Sequence, residues 1–228
     1  MDHGREFLDI TAKDTPVRGF LHEPAASAAA LSHDALILTH GAGADCNAPL
    51  LVALAEAFCT AGITVLRCNL PFRQLRPHGP PSRGSAEGDQ QGLRTAIEVL
   101  RRRTTGRVFL GGHSYGGRQA SMLAASTSGL VDGLLLLSYP LHPPRQPQQL
   151  RTAHFPRLHA PALFVHGSRD GFGTIAELEE ARQLIPARTE LLTVPSAGHE
   201  LLTRQNRQEL PQLCVERFLA FTETVPPG

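Results

Sequence analysis

Ser114, Asp170 and His199 are the residues of this chain whose types and order can do nucleophilic chemistry. A serine hydroxyl is a weak nucleophile at neutral pH; it needs a base within hydrogen-bond reach and a third group to orient that base. Ser114 stands at the centre of Gly111-Gly112-His113-Ser114-Tyr115-Gly116-Gly117. Glycines two residues to either side are the spacing of a nucleophile elbow, a strand-to-helix turn so tight that the serine takes an unfavourable backbone conformation and its neighbours must lack a Cβ. Such a turn lifts Oγ above the sheet edge and aims the next backbone N–H at the same point. The flanks fit: Arg107-Val108-Phe109-Leu110 is strand-like, and Arg118 to Ala125 holds no proline or glycine. A glycine-rich βα turn for phosphate is the other reading of this stretch taken alone.

The partners must come from loops that follow strands. Asp170 follows Ala162-Leu163-Phe164-Val165-His166 and His199 follows the strand-like Thr189 to Val194, giving the chain order Ser, Asp, His. Asp34 and Asp132 lie just before strands, on the opposite edge, and Asp45 and Glu200 lack the strand-then-acid placement. Taken singly, Asp170 reads as a turn former beside Gly171 and His199 as a capping or solvated histidine; order and placement together make the triad. Two backbone donors must also face the developing oxyanion. Tyr115 N–H is one, as the residue after the nucleophile, and Ala42 N–H is the other, because His40-Gly41-Ala42-Gly43 ends a strand where glycines let the backbone turn toward the serine. The chemistry needs no metal or organic cofactor.

The elements that must position these groups alternate along the chain. Glu6 to Thr11 and Val17 to His22 read as an antiparallel hairpin around Asp14-Thr15-Pro16, and Ala25 to Ala30 as a small-residue connector. Ala35 to Thr39 is a strand buried on both faces. Asn47 and Pro49 start a helix carrying Leu51, Leu54 and Phe58, which Gly62 stops. Ile63 to Arg67 is a strand, and Pro71 to Gly84, rich in proline and arginine, reads as irregular. Leu93, Ala96, Ile97 and Leu100 mark a helix ending at Arg101-Arg102-Arg103. After the Ser114 helix come a strand over Gly133 to Ser138, an excursion over Tyr139 to Ala160, a strand before Asp170, a helix opened by the Thr174–Glu177 capping box, the strand before His199, and a helix starting near Pro211. Strands alternating with helices predict one α/β domain over residues 1–228, a mostly parallel sheet with helices on both faces, and ligands at the carboxyl ends of the strands.

Composition narrows the function. In 228 residues, 41% hydrophobic, there is material for one large core. Lysine and arginine number 22 against 21 acids, a net charge of +1, so no global field draws nucleic acid or an anionic membrane. No span nears the length of a transmembrane helix, the charged N-terminus lacks a signal peptide's apolar core, and Cys46, Cys59, Cys68 and Cys214 show no pairing or metal-ligand spacing, so reduced thiols in a cytoplasmic protein are expected. Nothing here sets the oligomeric state.

Over nearly its whole length the sequence resembles the α/β-hydrolase superfamily. Gly111 to Arg118, Ser138-Tyr139-Pro140-Leu141-His142-Pro143-Pro144 and Phe164 to Gly173 resemble a lidless branch similar to dienelactone hydrolases, which includes testis-expressed proteins and the hydrolase-like subunit of a chromatin-modifying NSL complex. The resemblance implies a minimal eight-stranded fold and a serine triad on Ser114, Asp170 and His199; dienelactone hydrolases proper use a cysteine where this chain has Ser114. Arg73, Arg76 and Arg83 fall in an acid-free loop on the catalytic side, either to attract an anionic acyl or leaving group or as a solvated rim pairing with Asp45, Glu87 and Asp89. Arg118, one helical turn past Ser114, either braces the elbow through loop carbonyls or acids, or contacts substrate. The proline-punctuated excursion reads as a rim, not a lipase lid, which disfavours large lipids. The expectation is a serine hydrolase of small ester substrates acting through an acyl-enzyme. The alternatives are a catalytically weak or inactive protein-interaction module on the same fold, and a thioesterase or peptidase using the same triad.

Overall fold

The computed structural model of the chain describes residues 4–12, 15–25 and 33–223. One eight-stranded sheet runs through it in the order β1-β2-β4-β3-β5-β6-β7-β8. The strands are β1 (Arg5–Asp9), β2 (Val17–His22), β3 (Ala35–Thr39), β4 (Thr64–Cys68), β5 (Val108–His113), β6 (Gly133–Leu137), β7 (Ala162–Gly167) and β8 (Thr189–Val194). The hairpin β1–β2 and its junction with β4 are antiparallel; every pairing from β4 to β8 is parallel. The helices are α1 (Pro49–Thr60), α2 (Pro71–Leu75), α3 (Ser85–Arg101), α4 (Tyr115–Ser126), α5 (Ile175–Arg182) and α6 (Glu209–Glu223). This is the mostly parallel sheet with an antiparallel N-terminal hairpin that alternation predicts.

Central strands are apolar at successive positions because both faces are covered. Ile37, Leu110, Leu136 and Phe164 pack with Leu93, Ile97, Leu123 and Leu178 of α3, α4 and α5. Their neighbours Leu38, Phe109, Leu135 and Val165 pack on the other face with Leu54 and Phe58 of α1 and Phe218 of α6. Period-two alternation thus sorts one run of side chains into two cores, each large side chain contributing about 2 kcal/mol on burial.

Several boundaries differ from expectation for local reasons. Strand β1 stops at Asp9 because its carboxylate accepts from both the N–H and the hydroxyl of Thr11, turning the chain. Helix α1 is entered through Ala48 with Pro49 at its first position, and Asn47 does not cap it. Strand β4 lies one residue later than expected, and β6 ends at Leu137 because Ser138 takes a positive φ of 46°. The stretch Pro71 to Gly84 is not wholly irregular: Pro71 fixes the first turn of α2, whose N–H groups at Arg73 and Gln74 reach Leu70 O. Helix α6 opens at Glu209, leaving Pro211 in its first turn. Asp14 and residues 26–30 of the connector lie outside the described residues.

Sheet register levels the strand ends. Thr39 pairs with Gly112, and His113 with Leu137, so the chain leaves β3, β5 and β6 at one edge, at His40, Ser114 and Ser138. At the other edge Asp34 accepts from Arg107 N–H and its guanidinium, and Asp132 from Val108 N–H at 2.7 Å. The segment Tyr139 to Ala160 leaves the carboxyl edge and holds only a single 3₁₀ turn, Phe155–Arg157. Among the described residues no helix is long and apolar enough to cross a membrane, and the four cysteines are free thiols.

Candidate active site

The elbow is strained and held. Ser114 has φ 51° and ψ −113°, a conformation costing about 1–3 kcal/mol for a residue with a Cβ. Its N–H donates to Leu137 O at 2.8 Å and its carbonyl accepts from Arg118 N–H at 3.0 Å, fastening both sides of the turn. The glycines are demanded by close approach: a Cβ on Gly112 would sit 2.6 Å from the Gly116 carbonyl carbon, and one on Gly116 would sit 2.6 Å from His40 O. Helix α4 therefore starts hard against β3 and β5, with Ser114 at its head.

Asp170, on the loop after β7, and His199, on the loop after β8, meet Ser114 there. The His199 ring lies 2.8 Å from Ser114 Oγ through Nε2 and 2.8 Å from Asp170 Oδ2 through Nδ1. Burial pushes the Asp170 carboxyl up, but hydrogen bonds from His199 and from Phe172 N–H outweigh it and hold the group below its usual 3.8. An ionised carboxylate only accepts, so Nδ1 carries the imidazole proton and the Ser114 hydroxyl donates to Nε2. That is the tautomer in which Nε2 can take a proton.

The histidine is fixed from several sides. His113, buried beside Ser114, donates from Nε2 to His199 O at 2.8 Å. The Phe172 ring lies 4.2 Å from the His199 ring at an interplanar angle of 31°. His166, fully buried under Asp170, donates from Nε2 to Gly173 O and so shapes the loop that carries the acid.

Tyr115 follows Ser114 in the chain, and Ala42 follows Gly41, where an added Cβ would lie 3.5 Å from Ser114 Cβ; among the described residues neither the Ala42 nor the Tyr115 N–H meets an acceptor. The carbonyls around Ala42 are tethered instead. His40 donates from Nδ1 to Gly41 O at 2.8 Å and accepts from Leu70 N–H at Nε2, and burial keeps its pKa near 4, so the ring is neutral. Arg73 donates to Ala42 O at 2.9 Å, Ala44 O at 2.8 Å, Arg76 O at 3.0 Å and Gly79 O at 3.1 Å. With the Gly41 and Ala42 carbonyls drawn toward His40 and Arg73, the turn is held rigid around Ala42 N–H. On the Tyr115 side, buried Asp89 accepts from the Tyr115 hydroxyl at 2.7 Å and from Phe72 N–H at 2.9 Å. The Phe72 ring sits between those of His40 and Tyr115, 5.6 Å from each. Helix α2 thus ties the two donors into one frame.

The expected arginines separate. Arg73 is 6% exposed and its donors are taken by carbonyls, so it is neither a solvated rim residue nor paired with an acid. Asp89, an expected partner, is engaged by Tyr115 and Phe72. Arg76 and Arg83 are exposed. Arg118 makes no side-chain hydrogen bond or ion pair among the described residues, and its Nε is enclosed without an acceptor. A groove of about 980 Å³ lies between α1 and α6, lined by Val52, Glu56, Pro211 and Val215, and contains none of Ser114, Asp170 and His199.

Sequence reasoning did not single out His40, His113, Asp89 or Phe172 as supports. Three of them sit inside or beside quoted motifs, and the signal for each was its adjacency to a functional backbone group. Asp89 carried no signal, being one polar residue on the face of a helix.

The pattern of the alpha/beta hydrolase domain family matches residues 32–222. Among solved structures, dienelactone hydrolase from Anabaena variabilis is similar at 21% identity and a TM-score of 0.74, over 96% of this chain and 98% of that one. An α/β serine hydrolase without lid from Xanthomonas campestris matches at 18% identity and TM-score 0.71, over 100% and 98%. The ferulic acid complex of Est1E from Butyrivibrio proteoclasticus matches at 15% identity and TM-score 0.72, over 91% and 97%. These likenesses span whole chains in both directions, so no lid domain separates this fold from its lidless relative. With the family pattern covering all but the first hairpin and the chain's last residues, the chain belongs to the α/β-hydrolase domain family, in a lidless branch like that of dienelactone hydrolase.

Proposed function

We propose that the protein is a serine hydrolase that cleaves small ester substrates through an acyl-enzyme on Ser114. The observation that carries this is the unbroken relay from Ser114 Oγ through His199 to Asp170, two contacts of 2.8 Å set on a strained elbow. In the first step Ser114 Oγ attacks the ester carbonyl carbon while its proton passes to His199 Nε2; Asp170 steadies the imidazolium. The carbonyl oxygen, now an oxyanion, lies between Ala42 N–H and Tyr115 N–H. Collapse breaks the ester C–O bond, and the departing alkoxide takes the proton from His199. A water molecule then gives its proton to His199 and attacks the acyl carbon, and the serine recovers its hydroxyl as the acid leaves.

Small esters suit the site because the excursion after β6 holds a single 3₁₀ turn and no helical lid, and a neighbour of this fold holds ferulic acid. Ester, thioester and amide carbonyls all fit the same relay; esters are favoured because His199 has only to protonate an alkoxide, a good leaving group beside an amine anion. A purely adhesive role for the fold would need neither the neutral His199 tautomer nor the two unspent backbone donors. Intact protein incubated with a fluorophosphonate should gain one covalent adduct, which Ser114→Ala should not. Equal labelling of both, or labelling of neither, refutes the assignment.

A further inference from the structure

Asp170 lies between two imidazoles. Its Oδ2, which accepts from His199 Nδ1 at 2.8 Å, stands 3.7 Å from Nε2 of His166, four residues earlier on the chain. His166 is fully buried, and the same Nε2 lies 2.8 Å from Gly173 O, a group that can only accept. Nε2 therefore carries a proton, and burial, which holds the pKa of the ring below the ordinary 6.5, makes it the only one. Nδ1 is left as a bare lone pair, enclosed and without a donor among the described residues. In the opposite tautomer the lone pair would move to Nε2 and confront Gly173 O and Asp170 Oδ2, two acceptors. Whatever donates to Nδ1 thus decides where the Asp170 carboxylate stands.

A hydroxyl occupies the facing position. The pairing of Leu137 with Val165, continued by the bond from Ser138 N–H to Val165 O, sets Ser138 opposite His166 across β6 and β7. Ser138 is fully buried, its Oγ meets no partner among the described residues, and its φ of 46° is strained for a residue with a Cβ. Packing alone asks for neither side chain: one step back on each strand stand Leu137 and Val165, both apolar and buried. Buried polar groups are nearly always paired, so a lone hydroxyl and a lone ring nitrogen at facing positions account for one another. Neighbouring strands run about 5 Å apart, a gap that one water with a partner on each side can bridge.

We propose that Ser138 donates through one water to His166 Nδ1 and so fixes the His166 tautomer, making the two buried residues a positioning pair for Asp170. Neither touches substrate; the effect runs from Ser138 through the His166 ring to the carboxylate, and from there to His199. The inference rests on the serine-hydrolase reading for its kinetic consequence, but not for the hydrogen bond that it holds in place.

Two readouts separate positioning from packing. Fluorophosphonate titration counts competent sites, so that kcat is expressed per titrated site. The far-downfield proton resonance of the His199 Nδ1–H bond to Asp170, identified by its loss in His199→Gln, needs no turnover. His166→Phe, which keeps a ring and removes both nitrogens, should lower kcat per site by about 30-fold with KM changed by less than about twofold, since a displaced carboxylate weakens the imidazolium of the transition state and not the bound ester. Ser138→Ala should lower kcat per site by about fivefold in the same manner, and added to His166→Phe it should cost nothing more, because its effect passes through the ring. His166→Gln, whose amide can donate toward Gly173 O, should recover part of the loss. The resonance should shift in His166→Phe and Ser138→Ala and return toward its original place in His166→Gln. An unchanged kcat per site and an unmoved resonance, with only the number of competent sites or the thermal midpoint reduced, overturn the pair, as do losses from the two positions that simply add. Should His166→Phe not fold, Ser138→Ala and His166→Gln decide by the same readouts. A wild type that fluorophosphonate does not label removes the hydrolase reading instead, and the resonance then tests the pair alone.

Discussion

The two edges of the sheet use the same side chain for different ends. At the amino edge, Asp34 and Asp132 stand just before β3 and β6; Asp34 closes on the backbone and guanidinium of Arg107, just ahead of β5, and Asp132 on the N–H of Val108, its first residue. At the carboxyl edge, Asp170 follows β7 and closes on His199, while Asp89 comes from α3 and closes on Tyr115. An aspartate before a strand meets N–H groups that the sheet itself leaves unpaired, so it fastens structure. An aspartate after one meets loops converging from several strands, so it can orient a side chain whose other end is free to react. Position relative to the strand, more than residue type, separates scaffold from chemistry.

That contrast is open to breakage, beginning at the carboxyl edge. Ser114→Ala should lower ester hydrolysis by about 10⁴-fold or more, and Asp170→Asn by about 10⁴-fold through the wrong imidazole tautomer, with the far-ultraviolet circular dichroism of each unchanged. Next comes the brace on the turn that carries Ala42, the proposed oxyanion donor. Arg73→Gln should lower kcat by about 10–100-fold with a smaller change in KM, because a displaced donor weakens the transition state more than the bound ester. If kcat holds, the turn is set by His40 alone.

Acid should attack the carboxyl edge through its neutral histidines. His40 and His154 each titrate near 4 in the folded chain against an ordinary 6.5. Between those values the unfolded chain binds protons that the folded one refuses, so stability is fully present above 6.5 and falls as the pH drops toward 4, by about 3 kcal/mol for a group wholly kept neutral. Thermal midpoints across that range check this, and His154→Gln, which keeps a donor toward Ser121, should flatten part of the slope. A midpoint independent of pH from 7 to 4 contradicts the neutral assignment. The smallest effect belongs to the amino edge: Asp132→Ala should cost about 1 kcal/mol of stability by denaturant titration and leave kcat unaltered. A kcat loss there exceeding that of Arg73→Gln would erase the distinction between the edges.

Much of this was legible in the chain because local motifs and strand order carried it. Gly112 and Gly116 announce the elbow, since only close backbone approach demands them in that spacing. Asp170 and His199 are found because parallel strands deliver their following loops to one edge. The Thr174–Glu177 capping box is likewise a local pattern, and both of its reciprocal bonds form. Helix α2 was not legible: a short segment with Pro71 and an arginine-rich continuation resembles a loop, and its regularity rests on contacts with Asp89 and His40 from distant elements. Arg73 was misplaced for a related reason. Sequence reading pairs an arginine with acids, whereas this one is satisfied by carbonyls, which every residue possesses and no pattern reveals.

The way Arg73 is satisfied bears on working conditions. Its four carbonyl partners can neither gain a proton nor be exchanged for a dissolved anion, and the other tether of the same turn, His40, is a neutral ring bonded to neutral groups. Neither brace is an ion pair, so brine has little to screen there. Acid, by contrast, removes only one of them: below about pH 4 a second ring proton would confront Leu70 N–H while the guanidinium bonds persist. The turn that carries Ala42 is therefore built to tolerate salt and to loosen in acid from the His40 side first.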